Sequence, residues 1–531
     1  MIDMATVRDA VFEALRQLEL TTIFANPGST EVALLTDLPE DIDFILALHE
    51  SSVVAMAAGH ALATRTPSLV LLHTTAGFGN GVGAIATART NKAPMVVLVG
   101  QQDRRHLASE PFLAGHLAGL AGDYPVSVRT PDNAQAVPAA IIRAYHDAAL
   151  HRGPAVVIVP MGDWFEQAET EALPAAPVEL RRSAAADPVI GQRLADTLLA
   201  AKSPVLVAGP TADDAQTWAA LTTLAENLDV PVWQSCSASQ AGFPGDHPRF
   251  QGHLPQLRDE LRKTMAGHDV ILVVGAPAFR QGTFRSGAFV EHGTTVLVVT
   301  DDPDEAGYSS ADLAVLGDVR AVAVDLAARV PEQPRRAPAV PPRAVHTTAP
   351  EVTSPLRAAH VYAEVAARLP AESTVLEESP STRAQLLDLM PARAPFGFVT
   401  IAQGGLGFAL PAATGIKMAL PERPVVAMVG DGASLYGIQA LWSAAQYRIG
   451  ALFVILHNGG YAVMDRLAAV QGGTGPWPGF PEIDPAMLAQ GLGCPSRTIT
   501  SHEELLAVLD EVIPTLGTRT EPLLLDVYVE A

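Results

Sequence analysis

The chain has 531 residues, too many for one hydrophobic core, and at about 100–200 residues per domain some three domains are expected. Apolar residues make up 48% and charged residues only 17%, so large cores can be buried, and a net charge of −22 sets the surface against nucleic-acid phosphates. Two widely separated cysteines, Cys236 and Cys494, exclude a disulfide framework and a cysteine metal cluster, and suit a reducing cytoplasm.

The first residues, Met1-Ile2-Asp3-Met4, carry charge where a signal peptide would be apolar. Every apolar run is far shorter than the ~20 residues needed to span a bilayer. A soluble, cytoplasmic protein with no membrane partner is expected. Short β-branched runs then follow at 22–25, 44–48, 69–72, 95–99 and 156–159, separated by longer amphipathic stretches. They read as strands buried on both faces of a parallel sheet. Residues 1–168 are therefore expected to form a first α/β domain. The segment 167–188, rich in Ala, Pro and Glu, reads as a linker. Runs at 205–208, 270–274 and 296–299 place a middle domain over 188–330. Prolines cluster over 331–355, a second stiff linker. Runs at 425–429, 452–456 and 523–527 mark a third domain, 356–531. The expected fold class is α/β, with three doubly wound parallel-sheet domains.

The most specific signal lies in the third domain. A predicted strand ends in Gly430-Asp431-Gly432, a predicted helix covers 434–447, and the next strand ends at Asn458-Gly459-Gly460-Tyr461. In a parallel βαβ unit both strand ends emerge at one sheet edge, which brings Asp431 to Asn458. A carboxylate, an amide oxygen and a free backbone carbonyl are hard ligands suited to Mg²⁺, which usually also takes cofactor phosphates. Gly432 lets the backbone approach a diphosphate. The alternative is an ordinary turn with Asn458 as a loop cap.

At these residues the chain resembles the thiamine-diphosphate enzymes, whose signature is Gly-Asp-Gly followed at this kind of distance by Asn. The resemblance extends to Asn26-Pro27-Gly28-Ser29-Thr30-Glu31, Leu46-Ala47-Leu48-His49-Glu50, Leu72-His73-Thr74-Thr75-Ala76-Gly77-Phe78-Gly79-Asn80 and Gly404-Gly405-Leu406-Gly407-Phe408. In the middle domain it takes in Phe243-Pro244-Gly245-Asp246-His247-Pro248 and Gly275-Ala276-Pro277-Ala278-Phe279-Arg280. Together these motifs are similar to the benzoylformate decarboxylases. The resemblance implies pyrimidine-binding, middle and diphosphate-binding domains, and non-oxidative decarboxylation of an aromatic or branched 2-oxo acid to an aldehyde and carbon dioxide. It implies that Asp431, Asn458 and the Gly460 carbonyl bind Mg²⁺, with Ca²⁺ a possible substitute, and that Gly432, Ser381 and Tyr461 meet the diphosphate. Glu50 would activate the cofactor, Leu406 would support it from beneath, and the Gly404 carbonyl would accept from its amino group. Ser29 would hold the substrate carboxylate and His73 would shuttle a proton. Phe112, Leu113, Val463, Met464 and Leu467, with Ser29, would line the substrate pocket. A homotetramer is implied, a dimer of dimers with shared sites.

Each residue also has a plainer reading. Glu50 opens a predicted helix, where an acid simply suits the dipole. Ser29 would serve as a helix cap, a role worth about 1 kcal/mol. His73 would be a satisfied buried histidine. The pattern also departs from the relatives: His457 stands where many have a first Asn, Gly282 where benzoylformate decarboxylase has a second active-site histidine, Pro380 for a pocket threonine and Leu467 for a pocket phenylalanine. A lost proton relay would favour carboligation, as in acetolactate synthase. Many such enzymes carry FAD, for which the sequence holds no specific signal. A silent regulatory homologue is the third reading, and the retained Glu50, Ser29, His73, Asp431 and Asn458 speak against it.

Overall fold

The computed structural model describes residues 5–169, 186–334 and 352–530. Most of both expected linkers lies outside these residues. Three six-stranded, wholly parallel sheets follow one another along the chain. In the first, the strands run in the spatial order Asp43–Leu46, Thr22–Asn26, Ser68–His73, Met95–Gln101, Pro154–Pro160, Ser127–Arg129. The third repeats that order with Phe398–Thr400, Thr374–Glu378, Val425–Gly430, Leu452–His457, Leu523–Tyr528 and Ser496–Ile499. The middle sheet follows the dinucleotide-fold order, with Pro204–Ala208 beside Val270–Val274 at its centre. Central strands such as Met95–Gln101 and Leu452–His457 are buried at every residue, which is why they read as continuous apolar runs.

The topology fixes where chemistry can sit. Ligands in such sheets bind beyond the strand C-termini, where the strand order reverses. In the first sheet the reversal lies between Thr22–Asn26 and Ser68–His73, with Asn26 beside Leu72. In the third it lies between Thr374–Glu378 and Val425–Gly430, with Glu378 beside Val429. The helices Glu50–Thr64 and Ala409–Ala419 press these two domains together. A Cβ at Gly59 would overlap the Ala412 carbonyl, and one at Gly415 the Met56 carbonyl. One apolar core runs through both domains.

Two expectations need correction. The helix predicted over 434–447 is broken into Asp431–Ser434 and Ala440–Gln446. Between them Gly437 passes so close to the Gly407 carbonyl that a Cβ would lie 2.9 Å from it. The strand predicted over 44–48 ends at Leu46, where the chain turns to deliver His49 as cap of the following helix. No helix among the described residues is long and apolar enough to cross a membrane.

Candidate active site

At the first sheet's reversal two acids and a histidine are held in place. Glu50 is the first residue of its helix, capped by His49, whose Nδ1 accepts from the Ser51 N–H at 3.1 Å. The Glu50 carboxylate is buried and accepts from the Asn26 amide at 3.2 Å and the Asn80 amide at 3.1 Å. Gly77 makes this crowding feasible: a Cβ there would lie 3.2 Å from Glu50 Oε1 and 3.4 Å from His73 Cβ. His73 ends its strand with Nδ1 2.9 Å from Glu31 Oε2 and 2.9 Å from Thr30 Oγ1. Glu31 is 1% exposed, also accepts from the Gly28 N–H at 2.8 Å, and takes the Thr30 hydroxyl. An Nδ1 proton directed at Glu31 leaves Nε2 as the free proton site. Ser29 is exposed between Gly28 and Thr30. It caps no helix, since the short helix Val32–Leu35 starts from Glu31 without a side-chain cap.

Loop 107–120 passes Thr75, two residues after His73, where a Cβ at Gly115 would lie 2.5 Å from the Thr75 hydroxyl. The Gln101 amide grips Gly115 from both sides, accepting from its N–H at 3.1 Å and donating to its carbonyl at 2.7 Å. Phe112 on this loop is 86% exposed, and Leu113 is half-buried with φ +68°.

At the third sheet's reversal a cavity of about 380 Å³ opens. Its wall holds Ser381, Leu406, Asp431, Gly432, Asn458, Gly460, Tyr461, Val463 and Met464 of the predicted residues. Asp431 follows directly on its strand and is buried. Its Oδ1 accepts from the Gly432 N–H at 2.7 Å, and Oδ2 from those of Asn458 and Gly459 at 3.0 and 2.6 Å. Burial pushes this carboxyl above its usual value, against those three donors. Asn458 Oδ1 accepts from the Gly460 N–H at 3.2 Å. A Cβ at Gly432 would lie 2.6 Å from the Tyr461 ring and 3.0 Å from Phe480. His457, at the position of the variant Asn, pairs with buried Asp526 at 3.0 Å. That hydrogen bond holds its imidazole above its usual pKa. Ser381 Oγ accepts from the Val463 N–H at 3.1 Å, which ties down the helix Ala462–Val470. Met464 and Leu467 on that helix are 40% and 56% exposed. Gly404, with φ +79°, stands exposed at the start of the turn that carries Leu406.

Neither Glu50, Ser29, His73, Phe112 nor Leu113 lines this cavity, which is built from third-domain residues. Gly404, Leu467 and Gly282 also stand outside its wall. A second cavity, about 340 Å³, lies by Asp246, Glu364 and Arg393, and holds none of the predicted site residues.

Residues 5–120 match the N-terminal TPP-binding domain of thiamine pyrophosphate enzymes, 192–326 their central domain and 381–527 their C-terminal TPP-binding domain. The chain is 38% identical over 513 residues to a benzoylformate decarboxylase of Pseudomonas aeruginosa, covering 96% of this chain and 97% of that one. It belongs to the thiamine pyrophosphate enzyme family. A thiamine diphosphate-dependent 4-hydroxybenzoylformate decarboxylase of Rhodococcus jostii RHA1 superposes with a TM-score of 0.94 at 35% identity, over 99% of each chain. A benzoylformate decarboxylase of Polynucleobacter necessarius gives 0.92 at 31%, again over 99% of each. Similarity to acetolactate synthase isozyme 3 large subunit of Escherichia coli K12 is lower, 29% over 487 residues, covering 86% of this chain and 83% of that one.

In this thiamine pyrophosphate enzyme, the first and last matched domains are the two that share one strand order. Asn26, Asn80, Thr30 and Glu31, the partners of Glu50 and His73, carry no assigned role in the sequence motifs. Asn26, Thr30 and Glu31 stand in one motif with Ser29, and Asn80 ends the His73 motif, so spacing relative to the strand ends was the available signal. No group of three or more His, Cys, Asp or Glu placed to hold a metal occurs among the described residues.

Proposed function

We propose that this thiamine-pyrophosphate-dependent enzyme decarboxylates a 2-oxo acid with an aromatic or branched side chain, releasing an aldehyde and carbon dioxide. One observation carries the reading. A buried Glu50 and a carboxylate-held His73 occupy one switch point, and an oxygen-donor cradle around buried Asp431 occupies the matching one. In a second copy of this chain the two halves would meet across a dimer interface, and pairing of dimers would give a homotetramer.

The third-domain residues fit the diphosphate and its cation. Asp431, the Asn458 amide oxygen and the Gly460 carbonyl are hard oxygen donors of the kind Mg²⁺ takes together with phosphate oxygens. Ca²⁺, which takes the same donors, would substitute. Gly432, close against the Tyr461 ring, would meet the diphosphate through its backbone, and Ser381 and Tyr461 border the same cavity. When bound, thiamine diphosphate would supply a nucleophilic carbon and an electron sink for decarboxylation. Glu50 holds a proton at N1′ of the pyrimidine, oriented by Asn26 and Asn80. Leu406, in the cavity wall, would support the cofactor from beneath, and the Gly404 carbonyl would accept from its amino group. Ser29 Oγ donates to the substrate carboxylate. His73, fixed by Glu31, moves a proton through Nε2 at the reacting carbonyl. Once the two halves pair in a second copy of the chain, Phe112, Leu113, Val463, Met464 and Leu467 would form an apolar wall that excludes water.

Such a wall favours a large apolar side chain, at roughly 25 cal/mol per Å² buried. Phenylglyoxylate or a branched 2-oxo acid should exceed pyruvate in kcat/KM by at least about tenfold, roughly 1.4 kcal/mol. Ser29→Ala should raise KM without loss of cofactor affinity. Carbon dioxide release from a panel of 2-oxo acids, with product analysis, tests this. Equal or better use of pyruvate, with acetolactate as product, would transfer the enzyme to the carboligases. For the metal, calorimetry should find thiamine diphosphate affinity in Mg²⁺ lost in Asp431→Ala; unchanged affinity would remove the cation from Asp431.

A further inference from the structure

Glu378 ends the strand Thr374–Glu378, one residue before the cavity wall begins at Ser379. It is 2% exposed. Its neighbour Glu377 has Arg383 Nε at 3.4 Å, whereas Glu378 has no ion-pair partner among the described residues. Its carboxylate instead accepts three consecutive backbone N–H groups: Gly407 at 2.5 Å, Phe408 at 2.9 Å and Ala409 at 2.6 Å. These open the helix Ala409–Ala419, whose own N-cap residue Phe408 offers no side-chain bond. A remote acid thus replaces a local cap.

Capping alone does not call for this arrangement. Ser, Thr or Asn at 408 would cap the helix through the N–H groups of its first turn, without burying a charge. The remote carboxylate does something a local cap cannot: it ties the turn before the helix to the strand that borders the cavity. Gly404 and Gly407 both have positive φ, +79° and +95°, and Leu406 lies between them in the cavity wall. Gly407 is confined on its other side by Tyr436, whose carbonyl a Cβ would approach to 2.9 Å. The helix that follows runs along the one Glu50 opens, so the same anchor bears on both half-sites. Burial pushes the Glu378 carboxyl up to about 7, so its ionised form leans on those three donors.

We propose that Glu378 is a positioning residue whose carboxylate fixes the 404–408 turn and thereby holds Leu406 in place under the cofactor. This rests on the reading of Leu406 given above. The test compares wild type, Glu378→Gln and Glu378→Asp, with Mg²⁺ and thiamine diphosphate at saturation. Glutamine keeps the shape but turns an NH₂ group toward backbone donors; aspartate keeps the charge but falls short of them. Small misplacement of a supporting group is costly, so kcat for carbon dioxide release should drop by about tenfold or more, with KM within about twofold of wild type. Calorimetric affinity for thiamine diphosphate should fall as well. In a Leu406→Ala background the further loss from Glu378→Gln should shrink, because both act through one turn. A cap with no other role would lower the melting temperature and leave kcat at saturation unchanged. That result, or failure of both variants to fold, overturns the assignment. If wild type releases carbon dioxide from no 2-oxo acid while Glu378→Gln still weakens cofactor binding, the decarboxylase reading fails and the positioning role stands.

Discussion

Asn26 and Asn80 reach Glu50 from opposite sides, one to each carboxylate oxygen. Two neutral amides orient the acid without an opposing charge. Glu50→Gln should therefore be tolerated structurally, because each asparagine amide can turn its oxygen toward the new NH₂ group. In the proposed mechanism the substitution weakens only the proton relay to N1′. Thiamine diphosphate binding should persist, while exchange of the cofactor's C2 proton slows by about 10²–10⁴-fold, the usual weight of a positioned acid or base. Proton exchange followed by NMR reads this directly. A rate equal to wild type would mean that Glu50 is not the activator.

The two helices that join the outer domains meet through glycines rather than through large apolar side chains. Gly59 and Gly415 bring backbone against backbone, with no space for a methyl group at either point. Gly59→Ala should thus cost about 1–3 kcal/mol by overpacking, despite alanine's better helix propensity. Denaturant unfolding would register the loss; an unchanged or raised midpoint would show that the helices are free to separate. The same packing explains what could be read without a structure. Strands such as Leu452–His457 declare themselves because burial on both faces demands unbroken apolar runs. Edge strands such as Leu313–Leu316, with alternating burial, and three-residue strands such as Phe398–Thr400 carry too little pattern to stand out. Asp431 and Asn458 were legible because one βαβ unit fixes their meeting. Glu31 with His73, and Glu378 with the 404–408 turn, were not, because those contacts span 42 and 29 or more residues and depend on tertiary packing. The helix break at Gly437 was hidden for the same reason, since that glycine packs against a carbonyl from another loop.

The three domains converge on a single buried acid. Asp213 of the middle domain accepts from the Phe396 N–H of the third domain at 2.8 Å, while Arg65 of the first donates to the Asp213 carbonyl at 2.6 Å. Its second carboxylate oxygen, Oδ2, is buried without a hydrogen-bond partner. Burial pushes this carboxyl up to about 7, and the Phe396 N–H, Arg65 and Arg423 only partly oppose it. The unfolded chain would hold Asp213 near its ordinary 3.8. Between these values the native state keeps a proton that the unfolded state has released. Stability from this residue is therefore present below about pH 4, falls as pH rises toward 7, and changes no further above it. At about 1.4 kcal/mol per pH unit the loss is on the order of a few kcal/mol. Asp213→Asn keeps an acceptor for Phe396 and stays neutral throughout. The variant should gain on wild type as pH rises, with the difference between their unfolding free energies larger at pH 8 than at pH 5. Taking that difference cancels the titration of the many other carboxylates in a chain of net charge −22. Paired denaturation curves at the two pH values decide the point. An equal difference at both would mean that Asp213 is ionised at the junction across this range, balanced by Arg65 and Arg423, and that the domains are held together there by charge rather than by a retained proton.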